Sequence, residues 1–226
     1  ETIGNGRATA IRFAEEGAKV LLVDKNPDWA TDTLKMIQDK GGVAQVQAAD
    51  ITDESDCKDI ASACLGHFGK IDILHNNVGR SEGDTTTVDM DPKIWDDLMA
   101  MNLKGMFMTC KHVLPIMRKQ KDGVIINISS IAGRFGLPFT SLYNSSKFAV
   151  EGLTECLHYE LSLFGIDIKT VAPGSFRTGF HDSVNFTENE KKEDLNDIRE
   201  NLKKALEEGI KNEPPFPFGF GNSNDV

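Results

Sequence analysis

Val124-Ile125-Ile126-Asn127-Ile128-Ser129-Ser130 is an apolar, β-branched run that ends in hydroxyls, and thirteen residues after Ser130 comes Tyr143-Asn144-Ser145-Ser146-Lys147. The first stretch has the length and composition of a strand buried on both faces. The second lies in a segment with helical periodicity, from about Ser141 to Phe164, that stops at Gly165. On a helix, Tyr143 and Lys147 stand one above the other, about 5–6 Å apart at Cβ. A free phenol titrates near pH 10, and a neighbouring ammonium lowers that value by favouring the phenolate. A tyrosine so placed can serve as a general acid or base near neutral pH. A Tyr and a Lys at this spacing also occur on ordinary amphipathic helices, with a half-buried ring and a snorkelling lysine. The surrounding sequence decides between the two readings.

Working outward from that strand and helix, the same alternation repeats. Towards the N-terminus, helix 6–14 stops at Gly17 and strand 18–24 follows. Asn26-Pro27 caps and opens a helix that ends at Gly41-Gly42, with proline at the first helical position, where its missing N–H costs nothing. Strand 43–48, helix 53–68, strand 71–75 and a long helix over about 92–120 complete that side, and strand 166–171 lies beyond the tyrosine helix. Apolar strands alternating with amphipathic helices predict one doubly wound parallel sheet of Rossmann type, α/β, in three αβα layers. The chain is expected to form a single domain over 1–226, with 181–226 a substrate-lid region within it. Residues 189–212 are densely charged but keep an apolar helical stripe at Leu195, Ile198, Leu202, Leu206 and Ile210, and an aromatic loop with Phe216, Phe218 and Phe220 follows.

Composition removes several classes of function. Hydrophobic residues make up 39% of the 226 and charged residues 27%, enough for a globular core. A net charge of −10 argues against nucleic acid as a partner. No apolar run reaches the length of a membrane span, and no secretory leader is visible. Cys57, Cys64, Cys110 and Cys156 form no C-x-x-C pair and no zinc-ligand spacing, so no metal is expected and a cytoplasmic location with reduced thiols is. The N-x-S/T sequons at Asn127, Asn144 and Asn185 read as accidents, two of them falling inside a strand and a helix.

Further motifs stand in order along the chain: Gly4-Asn5-Gly6, Asn76-Asn77-Val78-Gly79, Asn102 within Met101-Asn102-Leu103-Lys104-Gly105, and Pro173-Gly174-Ser175-Phe176-Arg177-Thr178. Together with Ser130, Tyr143 and Lys147, this colinear set resembles the classical short-chain dehydrogenase/reductase family, from the first residues to about Thr178. The resemblance implies hydride transfer between a nicotinamide cofactor and a secondary alcohol or ketone. Tyr143 would exchange the hydroxyl proton, Lys147 would lower the phenol pKa and hold the nicotinamide ribose, and Ser130 would orient the substrate oxygen. Asn102 would hold a water in a proton relay to Lys147. Ser129 is the neighbouring alternative to Ser130, and the thirteen-residue spacing favours Ser130.

For the cofactor, Gly4-Asn5-Gly6 ahead of a helix resembles the end of a glycine-rich pyrophosphate loop. Two registers fit it, one of them placing Ile3-Gly4 at the last glycine. Asp24 ends a strand eighteen residues past Gly6, the spacing of a carboxylate that holds ribose hydroxyls, which favours NAD over NADP. Lys25 next to it works in the opposite sense. By the same resemblance, Asp50-Ile51 would lie beside the adenine ring, Asn77 and Gly79 would border the cofactor, and Pro173, Gly174 and Thr178 would bind it, Thr178 at the nicotinamide carboxamide. Val78 replaces the usual alanine, and His75 is given no role. Phe135, Phe139, Phe176 and Phe180 near these motifs suit an apolar substrate.

Apolar residues on the 92–120 helix (Trp95, Leu98, Met99, Met106, Phe107, Met108) and on the tyrosine helix (Phe148, Leu153, Leu157) lead us to expect a homotetramer or homodimer. The alternatives are a non-catalytic dinucleotide-binding regulator on the same fold and an inactive fragment. In the doubly wound order a central strand precedes the glycine loop, and no such strand is seen here, nor is a closing strand at the other end. The chain is therefore expected to be a fragment that does not hold NAD by itself.

Overall fold

The computed structural model describes residues 3–174 together with Glu200 and Lys204. The order of elements is α1 (Asn5–Glu15), β1 (Lys19–Asp24), α2 (Pro27–Asp39), β2 (Val43–Ala48), α3 (Glu54–Phe68), β3 (Ile73–Asn76), α4 (Pro92–Met99), α5 (Gly105–Gln120), β4 (Gly123–Ile128), α6 (Ser141–Leu161) and β5 (Ile166–Val171). The expected lid over 181–226, the charged helix and the Phe216–Phe220 loop lie outside the described residues.

Local chemistry explains the boundaries. Asn26 accepts from the Asp28 amide ahead of Pro27, Asp53 accepts from Ser55 and Asp56, and Asp91 accepts from Lys93 ahead of Pro92. Gly69 ends α3 with φ of 79°. At Gly165 (φ 71°) an added Cβ would also meet the Lys121 carbonyl at 2.7 Å, so both backbone freedom and space call for glycine.

Every strand pairing is parallel, and helices cover the sheets, as in a Rossmann-type α/β fold. Among the described residues the strands pair in the orders β1-β2 and β3-β4-β5, with the division between β1 and β3. Each sheet has its own apolar cluster. Ala14, Leu22, Ala30, Ile37 and Ala44 pack around β1 and β2. Ala61, Ile71, Cys110, Val113, Met117, Ile125, Leu161, Ile166 and Ile168 pack around the three-stranded sheet. Across the division, the Phe13 ring of α1 meets the His75 ring edge-on, with centroids 6.0 Å apart.

Inside the larger half, buried polar groups join helices to strands. Asn76 Nδ2 donates to Asn127 Oδ1 at 2.9 Å, and Asn127 Nδ2 donates to Thr154 Oγ1 at 2.9 Å. Thr109 Oγ1 lies 2.8 Å from Asn76 Oδ1. Asn127, the middle member, is completely buried. Its sequon is closed to a glycan.

The helix expected over 92–120 is continuous but irregular. Between α4 and α5 the backbone widens into a π-helical turn, Ala100–Lys104. Such turns inside α-helices are frequent at functional sites. Here the turn carries Asn102, fully buried.

Candidate active site

The site lies at the carboxyl ends of the strands, where β4 delivers Ser129 and Ser130 beside α6. A short 3-10 turn, Ile131–Gly133, follows β4. Ser130 Oγ accepts from the Ala132 amide at 3.1 Å and lies near enough to the Tyr143 phenol to favour its phenolate. Ser129 is turned away and buried, its Oγ donating to the Lys147 carbonyl at 3.4 Å. Of the two serines, Ser130 is therefore the one whose hydroxyl is beside the tyrosine. Gly133 has to be small, because a Cβ there would lie 2.7 Å from Ser129 Oγ and 2.9 Å from the Lys147 carbonyl.

Lys147 is 2% exposed and donates from Nζ to the Ile128 carbonyl at 2.8 Å. Burial brings its pKa down to about 8, so it keeps its proton at neutral pH. Its ammonium stands 5.6 Å from the centre of the Tyr143 ring. The expected lowering of the Tyr143 pKa by Lys147 is not what this geometry gives. Burial is the larger influence and pushes the phenol above 10, with the Ser130 hydroxyl offsetting only part. The ammonium is drawn to the end of β4 instead.

Asn102 spends its side chain on a neighbouring loop. Its Oδ1 accepts from the Arg80 amide at 2.9 Å, while Nδ2 donates to the Arg80 carbonyl at 2.8 Å and to Ser146 Oγ at 3.0 Å. Both amide protons are thus committed to protein. A Cβ on Gly79 would lie 3.2 Å from Lys147 Nζ and 3.5 Å from Asn102 Oδ1, so Gly79, Asn102 and Lys147 converge on one point.

The cofactor candidates form a second group. Gly4 caps α1 without a side-chain hydrogen bond, and nothing lies within 4 Å of where its Cβ would be. The first turn of α1 carries no acidic residue and has no side-chain cap, features that suit a pyrophosphate. Ile3 is exposed just ahead of it. At Gly6 a Cβ would meet Asn77 Nδ2 at 2.7 Å, which brings the β3 loop against the start of α1. Asp24 Oδ1 accepts from the Asn26 amide at 2.8 Å. Asp50 pairs with Lys25 at 2.6 Å and accepts from the Thr52 amide and hydroxyl, which brings its pKa down to about 2. Ile51 packs on Gly105, where a Cβ would come within 2.8 Å of Ile51 Cδ1. The Pro173 carbonyl accepts from Ile131, joining the loop after β5 to the Ser130 turn, and Gly174 follows it. Thr178, Phe176 and Phe180 lie outside the described residues. The residues present fit a dinucleotide.

Two contributors were missed in the sequence. Asn144 is buried and donates from Nδ2 to the carbonyls of Ala132 (2.8 Å) and Phe135 (2.7 Å), clamping the Ser130 turn onto α6. Asp84, in the loop after β3, accepts from the α6 amides of Leu142 and Tyr143. Asn144 could have been suspected from its place beside Tyr143. Asp84 could not, since Ser81-Glu82-Gly83-Asp84 reads as a solvated turn. Phe139 adopts φ of 64°, a conformation costly for a bulky side chain, on the approach to α6.

A parallel α/β fold with a dinucleotide-type helix start and a Ser-Tyr-Lys group at its strand ends defines a nicotinamide-dependent oxidoreductase. Residues 2–189 match the family described as short chain dehydrogenase, and the chain belongs to that family. It is 34% identical over 175 residues to a 3-oxoacyl-[acyl-carrier-protein] reductase of Thermotoga maritima, covering 77% of this chain and 71% of the relative. It is also 34% identical over 218 residues to levodione reductase of Leifsonia aquatica, covering 96% and 78%. A crystal structure of levodione reductase superposes with a TM-score of 0.82 at 28% identity, over 97% of this chain and 82% of that one. NAD+-bound xylitol dehydrogenase gives 0.76 at 32% identity, over 79% and 69%. A metagenomic short-chain oxidoreductase in complex with NADP gives 0.73 at 32%, over 76% and 78%. The protein is accordingly an NAD(P)-dependent enzyme of CH–OH and C=O groups. Among the described residues no helix is long and apolar enough to cross a membrane.

Proposed function

We propose that the protein interconverts an apolar secondary alcohol and its ketone with NAD as the preferred cofactor, using Ser130, Tyr143 and Lys147. The observation that carries this reading is the Ser130 turn clamped onto α6 by Asn144, beside Tyr143 and with the Lys147 ammonium 5.6 Å from the Tyr143 ring centre. The cofactor, when bound, accepts or supplies the hydride. In reduction, the Tyr143 phenol protonates the oxygen of the former carbonyl as the carbon gains hydride; in oxidation, the Tyr143 phenolate accepts the hydroxyl proton as the carbinol carbon loses hydride. Ser130 donates to that oxygen and stabilises its developing charge. Lys147 holds the nicotinamide ribose with the protons not given to Ile128, and its charge offsets the phenolate as it forms. Asn102 keeps the Arg80 loop against Lys147, next to the proposed proton relay.

NAD is favoured because Asp24 ends β1 beside the expected adenosine ribose, where a 2′-phosphate would meet a carboxylate. Lys25, which could neutralise such a phosphate, is paired with Asp50 at 2.6 Å. Asp50 and Ile51 would then border the adenine, and Gly4, Gly6, Asn77, Gly79, Pro173 and Gly174 would line the remainder; Thr178 keeps the carboxamide role that the family pattern implies. For the substrate, the relatives named for levodione and for a 3-oxoacyl thioester carrier support a cyclic or acyl ketone.

The protein is further proposed to act as a homodimer or homotetramer. Trp95, Phe107 and Phe148 are about half exposed on α4, α5 and α6, beside a groove lined by Met99, Leu103, Ala149 and Leu153. Leu98, Met106 and Met108, also counted from the sequence as surplus apolar surface, belong to the core. The surplus is narrower than expected but contiguous.

The test is a screen of secondary alcohols with NAD+ and of ketones with NADH, followed at 340 nm, with Tyr143→Phe as the control. Turnover that disappears in Tyr143→Phe while NADH binding is retained supports the reading. A Tyr143→Phe enzyme that keeps most of its kcat removes it.

A further inference from the structure

The catalytic helix begins without a cap of its own. Thr140 occupies the capping position, but its hydroxyl lies against the Leu137 carbonyl (3.1 Å) and Asn144 Oδ1 (2.6 Å) and bonds none of the α6 amides. The open amides at the second and third helical positions belong to Leu142 and to Tyr143 itself. They are met from a loop nearly sixty residues away in sequence. Asp84 Oδ1 accepts from Leu142 N at 3.2 Å and Oδ2 accepts from Tyr143 N at 2.7 Å. Asp84 is 6% exposed. A carboxylate at a helix N-terminus satisfies orphan donors and faces the positive end of the helix dipole.

The loop that carries Asp84 is fixed at both ends. Upstream, Arg80 gives its amide and carbonyl to Asn102 of the π-helical turn. Downstream, the Asp84 amide closes a turn onto the Ser81 carbonyl at 3.2 Å. Gly83 makes this turn with φ of 83°, and a Cβ there would strike Ile94 Cδ1 at 2.9 Å. A side chain braced in this way sets where the first turn of α6 begins, and the Tyr143 Cα belongs to that turn.

We propose that Asp84 is a positioning residue for hydride transfer, a cap supplied in trans that fixes Tyr143 relative to Ser130 and links its placement to the Gly79–Asp84 loop. The proposal rests on Tyr143 being the acid/base.

The chain has two tyrosines, Tyr143 and Tyr159, so 3-fluorotyrosine labelling of the full chain gives two 19F resonances, assigned with Tyr159→Phe. In the parent, the Tyr143 resonance should be dispersed and titrate above free fluorotyrosine, as its burial requires. Asp84→Ala should move both its shift and its titration midpoint towards the free amino acid. Asp84→Asn keeps one of the two acceptor oxygens, enough for the shorter bond from Tyr143 N, and should lie nearer the parent than Asp84→Ala does. For an alcohol that the parent oxidises, kcat should fall about 10- to 100-fold in Asp84→Ala and within about threefold in Asp84→Asn, with NADH affinity held in both. An unmoved Tyr143 resonance in Asp84→Ala overturns the proposal. So does an Asp84→Asn protein that shifts, or unfolds, as far as Asp84→Ala. If Tyr143→Phe retains turnover, the acid/base reading falls instead, and the fluorine titration still reports on the cap.

Discussion

Lys147 Nζ donates to the Ile128 carbonyl at 2.8 Å, so the last residue of β4 and the lysine of α6 share one proton. This bond ties the lysine to the sheet. It also keeps a charge in a buried place, which has a pH signature. The folded lysine releases its proton near pH 8 and the unfolded one near 10.5. Between those values the unfolded chain binds more protons, so stability rises with pH. Lys147→Met lacks this titration. The stability of the parent relative to Lys147→Met should therefore increase from pH 7.5 to pH 10, by on the order of 3 kcal/mol at most. Urea midpoints at several pH values measure it, and a pH-independent difference would refute it.

Gly79→Ala should disturb the site more than the fold. Its methyl would crowd Lys147 Nζ at 3.2 Å and only touch Asn102 Oδ1 at 3.5 Å. Displacing the ammonium should lower kcat/KM by a factor of roughly 5–30, equal to about 1–2 kcal/mol, with a smaller effect on melting temperature. Steady-state kinetics beside a thermal melt separate the two.

Asp24→Ala should weaken the preference for NAD over NADP by about tenfold, or about 1.4 kcal/mol, by removing the carboxylate that repels a 2′-phosphate. Titration of both reduced cofactors by fluorescence gives the ratio. Tighter binding of NADP than NAD by the unmodified protein would contradict the proposed cofactor choice.

Charging the exposed apolar stripe should change assembly and leave the fold intact. Phe107→Glu and Phe148→Glu place carboxylates on side chains about half exposed in the single chain, where folding costs little. Light scattering should show a lower mass for each than for the parent. A parent that is monomeric at all concentrations would exclude the assembly.

Much of the fold was legible because its boundaries rest on local chemistry. Asn26-Pro27, Asp91 ahead of Pro92, Gly69 and Gly165 act through their immediate neighbours, and a single sequence carries such signals. Ser130 and Tyr143 were legible because strand and helix hold them at a fixed separation. The π-helical turn was not, since one widened turn hardly disturbs the apolar period across 92–120. Asp84 was hidden for a different reason. Its partners are backbone amides, which have no residue type to betray them. The direction of the Tyr143 shift was misjudged because spacing on a helix gives proximity to Lys147 but says nothing of how deeply the phenol is buried.

The apolar clusters around β1-β2 and around β3-β4-β5 bear on cofactor binding. A dinucleotide with its adenosine end at Asp24 and its nicotinamide end at Lys147, as proposed, would touch elements of both. Binding would then favour the closed form of each, and slowed amide exchange should appear at both ends of the site rather than at one.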